Sequence, residues 1–463
     1  MNTPQTSHEH LFQSAEFQKI KKDLLQCIQS HTKNLTHIRG PLSDTYKQNH
    51  LDAVKQLSTL KGRDAYFPYL SSGIGNGPYV ELLDGSVKLD FINGIGINFF
   101  GHSHPELMSE LIDTVCSDTM QGNLQPSYES DLIIKEILKH TGKSQLKHAW
   151  LFCSGTMANE TALKIIRQKK YPATRFFAFE DCFSGRSTAM QEITDNAKYR
   201  EGQPTYGEIY HLPFYDPKLG IDKSLEKIFD HISTQMNRYP GKFAGLTIEL
   251  VQGEGGIRFA PKEFYHRLFE KCKSMNLAIW IDEVQTFGRT TELFAFQTFE
   301  VEPWVDVVTV GKLLHACATL YTNEMNPKAG LVAGTFTGSA AALKTGQKIL
   351  RLLTQNNYYG KDGKIIKLSD YFKENLESLK NKSCSGLIHE IRIIGGMIGF
   401  GVLSQSQEDT KKVLTRFFEN GLIAFTAGHD PYLIRMLPPM GVLEKSHIDE
   451  AIKIIEKSLL ELK

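Results

Sequence analysis

The chain has 463 residues, of which 41% are hydrophobic and 23% are charged, as is typical of a globular protein with a substantial core. Its 53 Lys and Arg residues against 52 Asp and Glu leave a formal net charge of +1. This balance lacks the basic excess of a nucleic-acid-binding protein, so we expect no nucleic-acid partner.

The cysteines, histidines and N-terminus predict a cytoplasmic protein without a metal site. Seven cysteines, an odd number with no C-x-x-C pair, indicate free thiols in a reducing compartment. The 16 histidines show no metal-ligand spacing. Residues 1–8 have neither the basic nor the apolar region of a secretory signal, and no apolar stretch reaches the length of a membrane helix. We therefore expect no membrane partner.

The chain begins with a helical pattern. Apolar residues recur at helical spacing on one face, which predicts a helix in an N-terminal arm. We interpret residues 1–60 as an arm that packs on the body of the protein or on a second subunit. The apolar residues of the helix are Phe17, Ile20, Leu24, Cys27 and Ile28.

Strand signals follow the arm. Apolar runs at 79–82 and 87–91, separated by Asp84-Gly85, predict a β-hairpin. From about residue 100 to 340, helical patterns alternate with short apolar runs, which predicts an α/β domain with a mainly parallel sheet covered by helices on both faces. The predicted strands are 150–153, 176–179, 246–250, 278–281 and 307–310.

Beyond residue 340, polar stretches separate helices from short strands near 391–394 and 398–402. The chain closes with a predicted amphipathic helix capped by Ser446. We divide the chain into three parts and expect the N-terminal segments to complete the last one. They are the arm (1–60), a large α/β domain (101–340) and a smaller α+β domain (61–100 with 341–463). The apolar face of the last helix is Ile448, Ala451, Ile452, Ile455 and Leu459.

Three predicted strands end in chemically useful residues. Lys312 follows the strand 307–310, Asp282 ends the strand 278–281, and Ser154-Gly155-Thr156 joins the strand 150–153 to a helix. Open parallel sheets bind ligands at the carboxyl ends of their strands, and helix N-termini bind phosphate. Together an amine, an acid and a phosphate site are what pyridoxal phosphate requires. Singly, each has an ordinary alternative: a surface lysine, a solvated acid and a helix cap.

Neighbouring residues extend this interpretation. An aspartate at position 282 that faces a pyridine nitrogen would keep it protonated, so that the ring accepts electrons. Gln285 would reach the phenolic oxygen of the ring, and Val284 would pack behind the ring. Phe183 would stack on the other face, although an aromatic residue beside a strand end is more often part of the core.

Seven motifs in chain order carry a family resemblance. The segment 154–162, SGTMANETA, resembles the SGTEANE-type motif of the class III pyridoxal-phosphate-dependent aminotransferases, and the similarity runs from about residue 67 to the C-terminus. This family includes ornithine, acetylornithine, 4-aminobutyrate and lysine aminotransferases. The other motifs are GHSHP (101–105), CFSGR (182–186), VQGEGG (251–256), DEVQT (282–286) with LFAF (293–296), GK (311–312) and IRMLPP (434–439).

The resemblance implies a fold, a cofactor and an assembly. The fold is the α/β fold-type I, with a mainly parallel, seven-stranded-type sheet in a large domain and a smaller α+β domain formed by both termini. The cofactor is pyridoxal 5'-phosphate, held covalently by Lys312, with Asp282 on its ring nitrogen. The assembly is a homodimer with active sites at the subunit interface. The implied cofactor contacts are Gly155, Thr156, Phe183, Val284, Gln285 and, on the phosphate of the neighbouring subunit, Thr335.

The resemblance also implies substrate contacts. Arg435 corresponds to the arginine that binds the α-carboxylate of glutamate or 2-oxoglutarate, and Glu254 to the glutamate that pairs with it when an ω-amino donor is bound. Arg186 corresponds to a second carboxylate-binding arginine. Ile95 stands where ornithine aminotransferases carry a tyrosine, which disfavours ornithine. We expect transfer from a 4-aminobutyrate-, lysine- or acetylornithine-like amine to 2-oxoglutarate, giving an aldehyde and glutamate.

Two other functions fit the same scaffold. An aminomutase, racemase or decarboxylase would use the same fold and cofactor, and the first two would need no keto-acid acceptor. A non-catalytic protein of this fold is a further alternative, against which the intact Lys312 and Asp282 argue. The sequence departs from the family at 313–317, where LLHAC replaces a glycine-rich run.

Overall fold

A computed structural model describes residues 5–463, so residues 1–4 of the predicted arm lie outside it. No helix within residues 5–463 is long and apolar enough to cross a membrane. The helices are α1 (Ser7–Gln13), α2 (Ala15–Thr32), α3 (Asp44–Lys61), α4 (Asn93–Gly96), α5 (Pro105–Asp113), α6 (Tyr128–Lys139), α7 (Gly155–Lys170), α8 (Met190–Ile193), α9 (Ala197–Arg200), α10 (Gly220–Arg238), α11 (Lys262–Ser274), α12 (Ala295–Thr298), α13 (Ala340–Gln355), α14 (Lys364–Asn381), α15 (Gln407–Asn420) and α16 (Lys445–Leu460). The strands are β1 (Ser71–Asn76), β2 (Tyr79–Leu82), β3 (Val87–Asp90), β4 (Met120–Gln121), β5 (Leu146–Phe152), β6 (Arg175–Phe179), β7 (Ile209–Leu212), β8 (Phe243–Ile248), β9 (Val251–Gln252), β10 (Arg258–Phe259), β11 (Ala278–Glu283), β12 (Val307–Val310), β13 (Cys317–Thr322), β14 (Gly338–Ser339), β15 (Ile388–Ile394), β16 (Met397–Val402), β17 (Leu422–Ile423), β18 (Phe425–Ala427) and β19 (Leu433–Met436).

The centre of the molecule is a seven-stranded sheet in the order β5-β13-β12-β11-β8-β6-β7. Its neighbouring strands run parallel, except that β13 is antiparallel to both β5 and β12. The central strands β8, β11 and β12 are buried along their whole length, which explains their continuous apolar sequences. The predicted α/β class and mainly parallel sheet are confirmed.

Two strands of this sheet were not predicted. β13 begins at the last residue of the altered run 313–317 and mixes alanine and threonine with its apolar residues, so it lacks the signal of a buried strand. It is nevertheless fully buried, and the Thr319 hydroxyl donates to the Ala158 carbonyl at 2.7 Å. β7 is an edge strand that contains a histidine, which weakens the same signal.

Both ends of the chain contribute to two smaller sheets. The predicted hairpin is β2 and β3, and β17 from the C-terminal region pairs parallel with β3, with Leu422 opposite Leu89. The other sheet, in the order β15-β16-β19-β18, is antiparallel. The expectation that both termini form the smaller α+β part is confirmed, whereas the residue limits of the three parts stay predictions.

The predicted first and last helices are present. In α2 the apolar face remains largely open, since Ile20 is 59% exposed, and Lys21 ties the helix to the body through Asp113 at 2.6 Å. The apolar face of α16 is buried as predicted. The predicted cap is wrong: α16 begins at Lys445, so Ser446 lies inside the helix, and His447 Nδ1 accepts the Glu444 amide at 3.0 Å.

We expect Leu422→Ala to lower the free energy of unfolding by about 2–5 kcal/mol, because this fully buried side chain belongs to the strand that joins the two ends of the chain. Denaturant titration of the purified protein measures the loss. The matched control is Leu460→Ala, the same change at a side chain that is 44% exposed. Equal losses in the two variants would contradict this assignment of the core.

Candidate active site

A cavity of about 390 Å³ opens at the carboxyl edge of the central sheet. β11 and β12 run parallel in register, with Asp282 opposite Thr309, so Asp282 and Lys312 leave neighbouring strands at the same edge. The cavity thus joins the three strand exits that the sequence singled out. The predicted residues that line it are Gly155, Thr156, Phe183, Asp282, Val284, Gln285 and Lys312.

The N-terminus of α7 forms one wall of this cavity. Ser154 caps the helix, and its hydroxyl accepts the Met157 amide at 3.3 Å. Gly155 approaches Val284 so closely that a Cβ at this position would lie 2.7 Å from Val284 Cγ1. Only glycine therefore lets the helix begin against Val284. The free N–H groups and dipole of a helix start favour an anion at this wall.

Asp282 is a buried acid at the base of the cavity. Its Oδ1 accepts the Val284 amide at 3.0 Å, and its Oδ2 accepts Asn159 Nδ2 at 2.7 Å. Burial raises the Asp282 pKa, whereas these two hydrogen bonds and the charge of Lys312 act in the opposite direction. A buried carboxylate whose burial dominates in this way favours a cationic ligand atom beside it.

Asn159 is a site residue to which sequence analysis gave no role. Its Nδ2 donates both to Asp282 and to the Ser184 carbonyl, the latter at 2.8 Å, and so links α7, β11 and the loop after β6. The available signal was its spacing. Asn159 lies four residues after Gly155, which puts the two on the same face of the helix.

Lys312 carries an amine with altered basicity. Its backbone has a φ of 45°, an uncommon value for lysine, at the start of a single 3₁₀ turn. Burial lowers the Lys312 pKa to about 8, and the charge of Arg435 adds to the shift, while Glu249 and Asp282 oppose it. More of the amine is therefore neutral, and so nucleophilic, at physiological pH than in an ordinary lysine.

Glu249 is a second buried acid of the cavity that sequence analysis did not place there. Its Oε1 accepts the Phe183 amide at 2.8 Å, and its Oε2 accepts the Gly253 amide at 3.2 Å. Burial, with Asp282 as the next cause, raises the Glu249 pKa to about 8. The side chain is therefore mostly protonated at pH 7, and it fixes the turn that holds Phe183 against the cavity.

The altered run after Lys312 brings a histidine to the cavity wall. Leu313 and Leu314 are buried in the turn that leads into β13. His315, the next residue, lines the cavity and has a φ of 61°. Its Nδ1 lies 3.2 Å from the Thr345 hydroxyl. Burial lowers the His315 pKa, so the ring is neutral near pH 7. The sequence showed that 313–317 differ from the family, but it did not predict that His315 lines the cavity.

Arg435 is fully buried beside the cavity and has few hydrogen bonds. Its Nη1 lies 3.5 Å from Gln285 Oε1, a long contact, and its Nη2 lies 3.1 Å from Glu254 Oε2 without hydrogen-bond alignment. Within residues 5–463, Nε and Nη2 have no aligned acceptor. A buried guanidinium in this state favours a ligand carboxylate.

The remaining predicted residues lie around the cavity rather than in its lining. Arg186 is exposed, and its guanidinium carbon lies 3.8 Å from the centre of the Tyr199 ring. Ile95 is 37% exposed in a turn of left-handed residues, and Ile97 lines the cavity instead. Thr335 is exposed in the segment that runs beside β4.

Comparisons with known proteins decide the family. The family described as aminotransferase class-III matches residues 62–459. The chain belongs to the class III aminotransferases. The aminotransferase is 31% identical to the acetylornithine aminotransferase of Methanocaldococcus jannaschii, over 84% of this chain and 93% of that protein. It is 29% identical to the succinylornithine transaminase of Photorhabdus laumondii, over 81% of this chain and 90% of that protein.

Solved structures confirm the expected fold of this aminotransferase. The lysine aminotransferase from M. tuberculosis superposes with a TM-score of 0.79 at 18% identity, over 89% of this chain and all of that one. A Bacillus anthracis aminotransferase gives a TM-score of 0.78 at 20% identity, over 89% of this chain and 99% of that one. At these identities the likeness concerns the fold, which is fold-type I.

The class III aminotransferases as a family use pyridoxal phosphate, and the cavity of this aminotransferase fits that group. The start of α7 suits its phosphate, the buried Asp282 suits a protonated ring nitrogen, and Lys312 suits its aldehyde. The cavity volume also falls within the usual range for cofactor sites.

We expect Lys312 of the cofactor-free protein to react with an amine-specific reagent with a midpoint near pH 8, because its pKa is lowered to about 8. The exposed Lys135 should react only at higher pH, since its hydrogen bond with Asp131 raises its pKa. Reductive methylation across a pH series, read by peptide mass spectrometry, measures both midpoints. Arg435→Met should move the Lys312 midpoint upward, because the Arg435 charge lowers that pKa. Equal midpoints for the two lysines would contradict this electrostatic description.

Proposed function

We propose that this aminotransferase holds pyridoxal 5'-phosphate covalently through Lys312, with Asp282 on the ring nitrogen. Gly155 and Thr156 at the start of α7 bind the phosphate, while Val284 and Phe183 enclose the ring. Gln285 serves the phenolic oxygen. The position of these side chains around one cavity supports the assignment, as does the buried acid at its base.

The chain's own residues then control the proton. Pyridoxal phosphate, when bound, supplies a cationic ring that accepts the electron pair left on the donor carbon after it loses a proton. Asp282 keeps the ring nitrogen protonated, because a buried carboxylate is stabilised by an adjacent cation. Once the donor amine has displaced Lys312 from the cofactor, the freed Nζ would take the proton from the amine-bearing carbon of the donor and return it during the transfer. Its lowered pKa leaves it poised as a base near neutral pH.

The substrates are an ω-amino donor that carries a carboxylate and the acceptor 2-oxoglutarate, giving an aldehyde and glutamate. The under-bonded, buried guanidinium of Arg435 is the observation that carries this proposal. Free Arg435 binds the α-carboxylate of the keto acid, whereas its pairing with Glu254 at 3.1 Å masks the charge when an ω-amine enters. Arg186 at the rim binds the distal carboxylate of a donor.

The relatives support the donor class without narrowing it. Acetylornithine and succinylornithine appear in the names of relatives by sequence, and lysine in the name of one of similar fold. All three donors pair a reacting terminal amine with a distant carboxylate. The proposed range is therefore 4-aminobutyrate-, lysine- and acetylornithine-like amines, with Ile95 disfavouring ornithine itself.

The protein acts as a homodimer with its sites at the subunit interface. Around Thr335, the segments joined by β4 and β14 present large apolar side chains to solvent, including Leu124 at 94% and Phe336 at 61% exposure. Such a patch on a globular protein favours a protein partner. Thr335 of each subunit then reaches the phosphate of the other. The open apolar face of α2 is a second surface for the same contact, in the arm (1–60) that precedes the two domains.

A panel of amine donors with 2-oxoglutarate, followed by glutamate release, tests the function. We expect transfer from donors of the proposed range and a loss of at least about a thousandfold in Lys312→Ala, because no other amine occupies that position in the cavity lining. Lys135→Ala, at an exposed lysine, should retain full activity. Near-normal transfer by Lys312→Ala would contradict the assignment. Amine rearrangement, racemisation or decarboxylation without a keto acid would favour the alternative chemistries.

We expect Phe336→Asp to weaken the dimer at least tenfold, because it would bury an unpaired charge in an apolar contact. Sedimentation velocity across a concentration series measures the dimer dissociation constant. Leu460→Asp, at a partly exposed leucine of α16, is the matched control and should leave the constant unchanged. A wild-type protein that sediments as a monomer at micromolar concentration would contradict the proposed assembly.

A further inference from the structure

One tyrosine outside the known motifs lies among the three proposed carboxylate-handling residues. Tyr199 belongs to the short helix α9 and is half-buried. Its ring centre lies 3.8 Å from the guanidinium carbon of Arg186, and its hydroxyl donates to Glu254 Oε1 at 3.2 Å. Its ring also faces Phe183 edge-on, at 6.2 Å between ring centres. Tyr199 therefore contacts both the distal and the α-carboxylate sides of the site.

The two oxygens of Glu254 face different partners. Oε1 accepts the Tyr199 hydroxyl, and Oε2 lies 3.1 Å from Arg435 Nη2. The backbone of Glu254 is held in place, because its carbonyl accepts the Gly428 amide at 2.7 Å. The next residue is equally fixed, since a Cβ on Gly255 would lie 2.7 Å from the Asp181 carbonyl. Any departure of Glu254 from Arg435 must therefore come from its side-chain torsions.

We propose that Tyr199 is a positioning residue that retains the Glu254 carboxylate when a substrate carboxylate takes Arg435. This inference rests on the proposed exchange between an ω-amino donor and 2-oxoglutarate. Such an exchange requires a second position for the Glu254 carboxylate. A half-buried carboxylate that moves away from a cation needs another hydrogen-bond donor. The hydroxyl already in contact with Oε1 is that donor.

The length of the present contact supports this role. A hydroxyl that donates to a carboxylate usually lies at about 2.5–2.7 Å, so 3.2 Å is a weak bond while Arg435 shares the charge. Once a ligand carboxylate neutralises Arg435, Glu254 no longer shares its charge with that residue. Tyr199 is then the one of its two partners that remains, and the hydrogen bond from the Tyr199 hydroxyl to Glu254 can shorten. Burial and the charge of Glu254 raise the Tyr199 pKa, so the phenol remains a donor.

The ring of Tyr199 has a separate task. The guanidinium of Arg186 lies over its face, where the attraction between a cation and an aromatic ring fixes the plane of the guanidinium. The N–H groups at the edge of that plane then face a distal carboxylate. The hydroxyl thus acts on the α-carboxylate through Glu254 and Arg435, and the ring acts on the distal carboxylate through Arg186.

Tyr199→Phe and Tyr199→Leu separate the two tasks. In the holoenzyme, Tyr199→Phe should weaken binding of glutarate, an unreactive dicarboxylate, about fivefold to tenfold by calorimetry, and raise the KM for 2-oxoglutarate equally. Its kcat and its KM for the amine donor should stay within about twofold. Tyr199→Leu should also raise the donor KM at least fivefold. The matched control is Tyr210→Phe on the edge strand β7, which loses a hydroxyl bonded to His231 of α10. It should change neither the glutarate affinity nor the KM for either substrate.

A double-mutant cycle sharpens the test. In a Glu254→Gln background, Tyr199→Phe should no longer affect glutarate binding, because the hydroxyl acts through the carboxylate. Equal changes for donor and acceptor, unchanged glutarate binding in Tyr199→Phe, or a full effect in the Glu254→Gln background would overturn the role of Tyr199. Each result leaves the proposed function standing if the wild type transfers nitrogen to 2-oxoglutarate. A wild type without that transfer would remove the proposed function and this inference together.

Discussion

The hydrogen bond between Asn159 and Asp282 is the constraint on which the site depends. It joins the first turns of α7 to the end of β11, so the N-terminus of α7 and the buried acid are held at a fixed separation. The same amide also bonds to the Ser184 carbonyl and so sets the loop that carries Phe183. A rigid ligand with a phosphate at one end and a ring nitrogen at the other requires such a fixed spacing.

The charges around this bond form one interacting set. Lys312 and Arg435 are cations close enough for Arg435 to lower the Lys312 pKa, while Glu249 and Asp282 raise it. Burial raises the pKa of both acids, so Glu249 carries little charge at pH 7. The site therefore combines the reactive amine of Lys312 with the acid Asp282, which favours a cation beside it. A charged ligand in the cavity would change the pKa of both groups.

The sequence predicted which residues line the cavity where a polar or charged residue stands at a strand end. Lys312 and Asp282 follow short apolar runs that are typical of buried strands, and parallel strands end at one edge. Asn159, Glu249 and Tyr199 escaped prediction because their roles depend on contacts between distant segments, which no local pattern encodes. β13 was missed because its one alanine and two threonines interrupt the continuous apolar run that marks a buried strand.

The reversed strand β13 has a consequence for synthesis of the chain. Within the central sheet, β5 pairs only with β13, although the ribosome makes β13 long after β5 and immediately after Lys312. Until β13 emerges, β5 lacks its partner strand in this sheet, and the helix α7 that follows β5 lacks a complete sheet to pack against. Such a long-range pairing delays folding and exposes an apolar edge meanwhile. During synthesis, Lys312 therefore appears almost at the same moment as the strand that lets β5 and α7, the opposite wall of the cavity, take their final positions.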